Sequence, residues 1–565
     1  MQTQATELTP AGLNTAVESM PITNNAGYSI LKTLRNYGVD TIFGIPGTHN
    51  LEFYRHLAPL GMRPVTTRHE QGAGYGADGW AQQTGLPGVV ITTSGPGLLN
   101  ALSAAGTAYC ESRPLIILSP GVPEGEEFAD IGSLHETKDS TAAAGAIVEW
   151  SRRVHSATDA VAAIHDAFEM FRYGRPRPVH IEVPLNILES ESDCAAELLA
   201  ARPLRAAQGA EAEALATAAK LLRESANPVI LAGGGSIRAG AHLAALAQLL
   251  QAPVVATLNG KGSLPESHPL SLGSDIRLPA AQDLCDNADV LLIIGSKVGE
   301  SEMWGGRLAP RGTVIRVDIL GSQANKNVSS DVALIGDSAM IVGQLIEEIG
   351  SQDRPVADVA AVRTALRTQA RALSPELSRI AEEAASVLPA NTIVGGDSSQ
   401  ITYLGTASFI PQERPHSFLY TPAYATLGYG LPASIGAKIA SPERPVVCIL
   451  GDGALMFAVQ ELITAVEQRL DLVVVCVDNG GYAEIRSNEA DRGIPAVGVD
   501  LVQPDWAALA TAFGGTGHRI TDAASFAPTL QQAVQARGLQ LLHVPVELFN
   551  AVVNSSTSPT STEGN

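Results

Sequence analysis

Positive charge is scarce in this 565-residue chain: 37 Lys and Arg stand against 58 Asp and Glu, a formal net charge of −21. Such a surface repels phosphate-rich partners, so neither nucleic acid nor an anionic membrane is expected to bind. Aromatic residues make up only 5% and charged residues 17%, while 45% are hydrophobic and 54 are glycine. That balance fits an α/β protein with an ample core and many tight turns. No apolar run is long enough to span a bilayer, and the first twenty residues lack the apolar stretch of a secretory signal. The five cysteines are odd in number and none is spaced CxxC, which argues against a disulfide framework. Cys448 and Cys476 sit inside apolar runs as buried thiols. A cytoplasmic protein is expected.

What the chain does have is a recurring unit. Short β-branched runs are each followed by Gly or Pro and then a helical stretch, the alternation of parallel sheets covered by helices. A first set comprises "TIFGIPG", "GVVITTSGPG", "PLIILSPG" and "PVHIEVP". A second comprises "PVILAGGG", "APVVATLNGKG", "ADVLLIIGSKVG" and "TVIRVDIL". A third comprises "NTIVGGDSS", "PVVCILGDG", "DLVVVCVDNGG" and "LQLLHVPVE". Polar or Ala-rich stretches near 189–210 and 348–375 read as linkers. The expected fold class is therefore α/β, with three doubly wound parallel-sheet domains at 21–190, 205–348 and 375–550. Residues 1–20 and 551–565 are expected to be disordered tails. Ligands of such sheets bind outside the carboxyl ends of the strands.

The third set carries the most specific motif. "LGDGALMF" follows one strand, and after 24 residues a second strand ends in "DNGGY". Asp452 at a strand end can ligate a hard divalent ion, and Gly451 and Gly453 let backbone amides approach phosphate oxygens. A helix starting at Ala454 would add free N–H groups and a positive dipole end. Asn479 offers a second oxygen, and the backbone carbonyl of Gly481 a third. Taken alone, "GDG" fits an ordinary strand-end turn equally well.

A second stretch, "RHEQGAGYGADGWA" from Arg68, sets one carboxylate, Glu70, against a run of Gly and Ala. Small residues let something large approach the backbone closely. A helix-terminal carboxylate paired with Arg68 is the alternative.

Together these stretches resemble the pyruvate oxidase and acetolactate synthase group of thiamine diphosphate enzymes, over nearly the whole chain. The signature of that group is GDG followed at this spacing by NN; here the first Asn is Asp478 and the second is kept as Asn479. The resemblance implies a pyrimidine-binding N-terminal domain, a central dinucleotide-type domain and a C-terminal domain for diphosphate and Mg²⁺. It also implies an active site spanning two subunits, hence a homodimer or homotetramer. Glu70 would touch the aminopyrimidine. "FGIPGTHN" would close over the substrate, bringing in Pro46, Thr48 and His49, and "TTSGPG" would line the same pocket. In "YATLGYGLPA", Leu427 would prop the cofactor into a bent shape, with the backbone of Ala425 and Leu427 on the pyrimidine. "GGDSSQ" would bring Ser399 and Gln400 to the diphosphate. Gly451, Gly453, Ala454, Gly481 and Tyr482 would complete the cofactor site, and Asp452, Asn479 and Gly481 would hold the metal.

The implied reaction is decarboxylation of a 2-oxo acid, with the cofactor as electron sink and Glu70 as the protein's proton-handling carboxylate. "SLHETKD" places His135 where acetolactate synthases usually carry Gln; a solvated loop histidine is the plainer reading. The stretches "RHEQGAG", "LHETKD", "RPRPVHIEVPLNIL" and "RGIPAVGVDL" resemble decarboxylases of 5-guanidino-2-oxopentanoate, the 2-oxo acid of arginine. A cationic tail needs a carboxylate, for which Glu484, Glu489 and Glu136 are candidates, although each could be a plain surface acid. A carboligase of acetolactate synthase type and a non-catalytic cofactor-binding protein stay open as alternatives. "LAGGGSIRAG" resembles a dinucleotide-binding turn without its GxGxxG spacing, and FAD is not expected.

Overall fold

The computed structural model describes residues 23–550. The expected disordered tails, 1–20 and 551–565, lie outside the described residues. Three sheets appear, and every ladder in them is parallel.

The N-terminal sheet holds β1 (Thr41–Gly44), β2 (Arg63–Thr66), β3 (Gly88–Ile91), β4 (Leu115–Gly121), β5 (Trp150–Arg153) and β6 (Val179–Pro184), in the order β2-β1-β3-β4-β6-β5. The central sheet holds β7 (Pro228–Ala232), β8 (Val254–Ala256), β9 (Val290–Ile294), β10 (Thr313–Asp318) and β11 (Val332–Ile335), in the order β11-β10-β9-β7-β8. The C-terminal sheet holds β12 (Ile393–Gly395), β13 (Phe418–Leu419), β14 (Val446–Gly451), β15 (Leu472–Asp478), β16 (Thr516–Arg519) and β17 (Leu539–Pro545), in the order β13-β12-β14-β15-β17-β16. The first and last sheets thus share one topology, an internal repeat with no matching repeat of letters.

All twelve runs read from the sequence are strands. The five strands it leaves out, β2, β5, β11, β13 and β16, are all sheet edges. These edges are short, and three of them are half-solvated: β16 is exposed at both ends, β2 buries only Val65 and β5 buries no residue. One linker expectation needs correction. The stretch 348–375 contains a helix, Ala360–Leu373, whose Leu366 and Ala370 are buried with Ala281 and Cys285 of the central domain.

The Gly/Ala run after Glu70 also has a different purpose from the one expected. It forms the helix Glu70–Thr84, which crosses the helix Gly430–Ala440 of the C-terminal domain backbone to backbone. A Cβ on Gly79 would lie 2.0 Å from the Ala433 carbonyl oxygen, and one on Gly436 would lie 1.8 Å from that of Gly76. Gly74 faces Ala104, and Gly72 faces the Glu461 carboxylate. What approaches the small residues is the protein itself. One apolar core runs through both sheets across this crossing. No helix among the described residues is long and apolar enough to cross a membrane.

Gly79→Ala is expected to force the two helices apart and destabilise the chain by about 2–3 kcal/mol, since a packed crossing has no room for an added methyl. Denaturant unfolding against the parent checks this; an unchanged midpoint would contradict it.

Candidate active site

The candidate residues lie where the strands of the outer sheets end. After β1 the chain turns through Ile45, Pro46 and Gly47 into a short 3₁₀ turn at Thr48–Asn50. Asn50, which the sequence reading passes over, holds this turn: its Oδ1 accepts from the Gly47 N–H at 2.8 Å and its Nδ2 donates to the Ile45 carbonyl at 3.0 Å. Pro46 and Thr48 are exposed and His49 is half-buried.

Glu70 opens its helix behind the N-cap residue His69 and is 8% exposed. Its Oε2 accepts from Asn100 Nδ2 at 3.0 Å, and its Oε1 faces Gly97. The ion pair with Arg68 does not form. Arg68 bonds instead to Glu467, and its backbone N–H donates to the buried Glu461 carboxylate. A carboxylate at a helix N-terminus is favoured by the free N–H groups there, so Glu70 needs no cation to be stable.

Two histidines 86 positions apart meet at Ser94. His49 Nδ1 lies 2.6 Å from Ser94 Oγ, Ser94 Oγ lies 3.4 Å from His135 Nδ1, and the two imidazoles pack edge to face at 5.4 Å. They line one end of a cavity of about 590 Å³ that extends past Pro123, Glu127, Lys138 and Glu182. Burial, then the neighbouring His135, lowers the His49 pKa. No histidine dipeptide marks this pair in the sequence; only the fold assembles it.

The C-terminal cluster forms at the ends of β12, β14 and β15. Gly451 N–H donates to Ser399 Oγ at 3.1 Å. The backbone N–H of Asn479 lies 3.4 Å from Asp452 Oδ1. The amide end of Asn479 that faces Asp452 lies 3.2 Å from Oδ1 and 3.1 Å from the Gly481 carbonyl oxygen. With nitrogen there, it donates to both; with oxygen there, three oxygens converge with no proton between them. A cation stabilises the second arrangement, and one carboxylate, one amide and one carbonyl oxygen suit a hard divalent ion that draws its other ligands from phosphate and water. Burial, then the nearby Asp478 charge, pushes the Asp452 carboxyl up to about 6. Gly481 needs to be glycine, with φ +133 and a Cβ position 2.2 Å from the Val499 carbonyl oxygen. Gly453 lies against the Tyr482 ring, and Ala454 is buried. The helix expected to run on from Ala454 is corrected: Asp452–Leu455 is a single turn, because the chain bends again before Glu461–Glu467. A dipole of that length adds little.

Further residues here carry no motif. Gln503 Nε2 donates to Asp452 Oδ2 at 2.6 Å, and Trp506 Nε1 donates to Gln503 Oε1 at 3.2 Å. Asp478 turns away to His543 Nε2 at 2.8 Å. Burial opposes its ionisation, but His543 and the Gly480 N–H outweigh that and hold its pKa below the usual value. Gln400 joins Asn479 (3.4 Å) to Glu484 (3.1 Å), and Tyr403 OH also donates to Glu484 at 3.0 Å. Asp397 lies inside the quoted "GGDSSQ" and is fully buried. It accepts from the N–H groups of Ser398, Gly428 and Gly430, and so fixes the segment bearing Ala425 and half-buried Leu427.

Family models match in chain order: the thiamine pyrophosphate enzyme N-terminal TPP binding domain at residues 24–143, the central domain at 215–345 and the C-terminal TPP binding domain at 401–544. A probable 2-ketoarginine decarboxylase of Pseudomonas aeruginosa is 39% identical over 499 residues, 87% of this chain and 89% of that one. The chain belongs to the thiamine pyrophosphate enzyme family. Other members are also similar. A probable acetolactate synthase large subunit of Methanocaldococcus jannaschii is 31% identical, covering 93% of this chain and 92% of its own. Acetolactate synthase isozyme 1 large subunit of Escherichia coli is 30% identical, covering 92% and 93%. The chain is thus a thiamine pyrophosphate-dependent enzyme of the decarboxylase and acetolactate synthase kind. Within one chain the candidates form two groups, one around Glu70, His49 and His135 and the other around Asp452 and Asn479, and no hydrogen bond joins the two.

Glu70→Gln is expected to keep thiamine diphosphate affinity within about threefold and to lose at least about 100-fold in turnover, the usual scale for a proton-handling group. If Asp452 holds Mg²⁺, Asp452→Asn is expected to remove any effect of Mg²⁺ on cofactor binding. Calorimetric titration with and without Mg²⁺, beside steady-state rates, separates the two effects.

Proposed function

We propose that this enzyme releases CO₂ from 5-guanidino-2-oxopentanoate and yields the corresponding aldehyde. The observation that carries the reading is the likeness to the probable 2-ketoarginine decarboxylase along 87% of the chain. Thiamine diphosphate, when bound, supplies the electron sink for decarboxylation. Glu70, with Oε2 engaged by Asn100, keeps Oε1 for a nitrogen of the pyrimidine. Asp452, Asn479 and the Gly481 carbonyl would hold Mg²⁺ against the diphosphate, with Gly451, Gly453, Ala454 and Tyr482 around it.

The paired histidines favour decarboxylation over carboligation. A decarboxylase ends by protonating carbon, whereas a carboligase must keep protons away until a second 2-oxo acid arrives. Burial lowers the His49 pKa, which favours its neutral form, and His49 shares Ser94 with His135, so the pair can receive a proton and pass it on.

The cationic tail has a partner in Glu484. Glu136 bonds to the loop amides of Ile131 and Gly132, and Glu489 to that of Val497, so both serve their own loops. Glu484 is one amide side chain from Asn479 and stands beside Tyr403, whose ring packs on Trp304. Arg277 already rests over the Trp304 ring at 4.3 Å, so this rim suits guanidinium chemistry. A second copy of the chain would join the two half-sites. Exposed Leu99, Phe128 and Leu134 beside one and Met456, Phe457 and Ile485 beside the other support that assembly. For the central domain, "LAGGGSIRAG" forms the turn Gly234–Ala239 on a second cavity of about 490 Å³, walled also by Arg175, Lys297 and Asp318. The departure from GxGxxG supports turnover without FAD, and a flavin absorbance band in the purified protein would overturn that.

The test is product analysis. With the guanidino acid, CO₂ and aldehyde are expected; acetolactate from pyruvate, with no turnover of the guanidino acid, would refute the proposal. Glu484→Gln is expected to raise KM for the guanidino acid roughly 10- to 100-fold and to leave a neutral 2-oxo acid unaffected, as loss of one charge-assisted contact predicts.

A further inference from the structure

The segment that carries Ala425 and Leu427 is gripped by a domain other than its own. The helix Pro96–Glu111 of the N-terminal domain ends against it. Glu111 Oε1 accepts from two consecutive backbone N–H groups, Ala423 at 2.8 Å and Tyr424 at 3.3 Å, while its Oε2 accepts from Asn259 Nδ2 at 2.7 Å. Two residues on, Arg113 closes the segment at both ends. Its NH2 donates to the Tyr420 carbonyl at 2.7 Å, and its NH1 donates to Tyr429 OH at 2.8 Å. Asp78, on the helix of Glu70, balances the charge: its Oδ2 accepts from Arg113 NH1 at 2.5 Å and from Tyr429 OH at 2.6 Å. Glu111, Arg113 and Asp78 are each less than 9% exposed and Tyr429 is fully buried.

The reach of these contacts separates them from ordinary core bonding. They bracket a stretch in which Ala423, Tyr424 and Ala425 are themselves exposed. Ala425 sits at φ +52, a left-handed conformation that an alanine holds only when its surroundings over-determine it. Asp397 pins the far end through Gly428 and Gly430, and the Ala425 N–H closes on the Thr421 carbonyl at 3.0 Å. On the near side, the side-chain acceptor for the backbone N–H groups just before Ala425 is Glu111.

We propose that Glu111 is a positioning residue: from the N-terminal domain it holds the Ala423–Leu427 backbone in the shape that receives thiamine diphosphate, with Arg113 closing the loop behind it. The proposal rests on the reading that this segment meets the cofactor. It predicts that cofactor affinity depends on a carboxylate that need not itself touch the cofactor.

The experiment uses the full chain with Mg²⁺ and compares Glu111→Ala, Glu111→Gln and Leu427→Ala. Thiamine diphosphate affinity is measured by calorimetry, and melting of the cofactor-free protein by circular dichroism. Glu111→Ala is expected to weaken cofactor binding roughly 30-fold, the scale of losing hydrogen bonds to a charged acceptor, while the cofactor-free protein melts close to the parent. Glu111→Gln retains an acceptor oxygen and is expected to recover part of the loss, which a simple packing role would not produce. A folded Glu111→Ala with parental affinity overturns the proposal, as do both Glu111 variants failing to fold. If Leu427→Ala weakens binding while Glu111→Ala does not, the positioning role alone falls. If Leu427→Ala also binds normally, the reading of the segment falls with it.

Discussion

Two helices touch backbone to backbone, and the relation between the outer domains depends on that contact. Where Glu70–Thr84 crosses Gly430–Ala440, Gly79 meets the Ala433 carbonyl and Gly436 meets that of Gly76. Side chains could not fit at those distances, so the crossing tolerates little sliding or rotation. The same helix carries Glu70 at its start, Tyr75 in its second turn against Thr426 at 2.9 Å, and Asp78 on the Arg113–Tyr429 network. The other helix begins where the Leu427 segment ends. Helix packing therefore sets the angle of the candidate site, and the strand ends supply its side chains.

A second constraint is how an acidic chain uses carboxylates inside itself. Asp397, Glu461 and Glu111 are buried, and all three accept backbone N–H groups of irregular segments. Burial alone pushes Asp397 up to about 7 even though three of its partners are N–H donors, and it also raises Glu461. An irregular segment has free amides and no ladder to satisfy them, so a buried carboxylate both meets that need and fixes the path of the chain. Asp452 differs: its Oδ2 accepts from Gln503 Nε2, while its Oδ1 faces the Asn479 amide end that also meets the Gly481 carbonyl.

Much of this was legible in the letters. Central strands are buried on both faces and must be continuous apolar runs, so all eleven were readable, as was the buried edge β8, and the motifs at their ends drew attention to Asp452 and Asn479. Five edge strands were silent: β2, β5 and β16 are half-solvated, and β11 and β13 are only four and two residues long. The Gly/Ala run was legible as a close approach, but its partner was not, because a small-residue face fits a helix as well as a ligand. Gln503, Asp397 and Glu111 were invisible for one shared reason. Each acts through a hydrogen bond to a residue set by tertiary packing, and Glu111 meets Ala423 across 312 positions.

By itself the sequence determined the class of fold, the count of sheets, the family and the residue types at the strand ends, because these follow from local burial and from short spacings. Only the tertiary structure decided that His49 and His135 form a pair, that Glu70 stands free of Arg68, that the Asn479 amide meets both Asp452 and the Gly481 carbonyl, and that one domain holds another's loop. Those facts depend on distances between segments far apart in the chain, and such distances are settled only when the helices have packed.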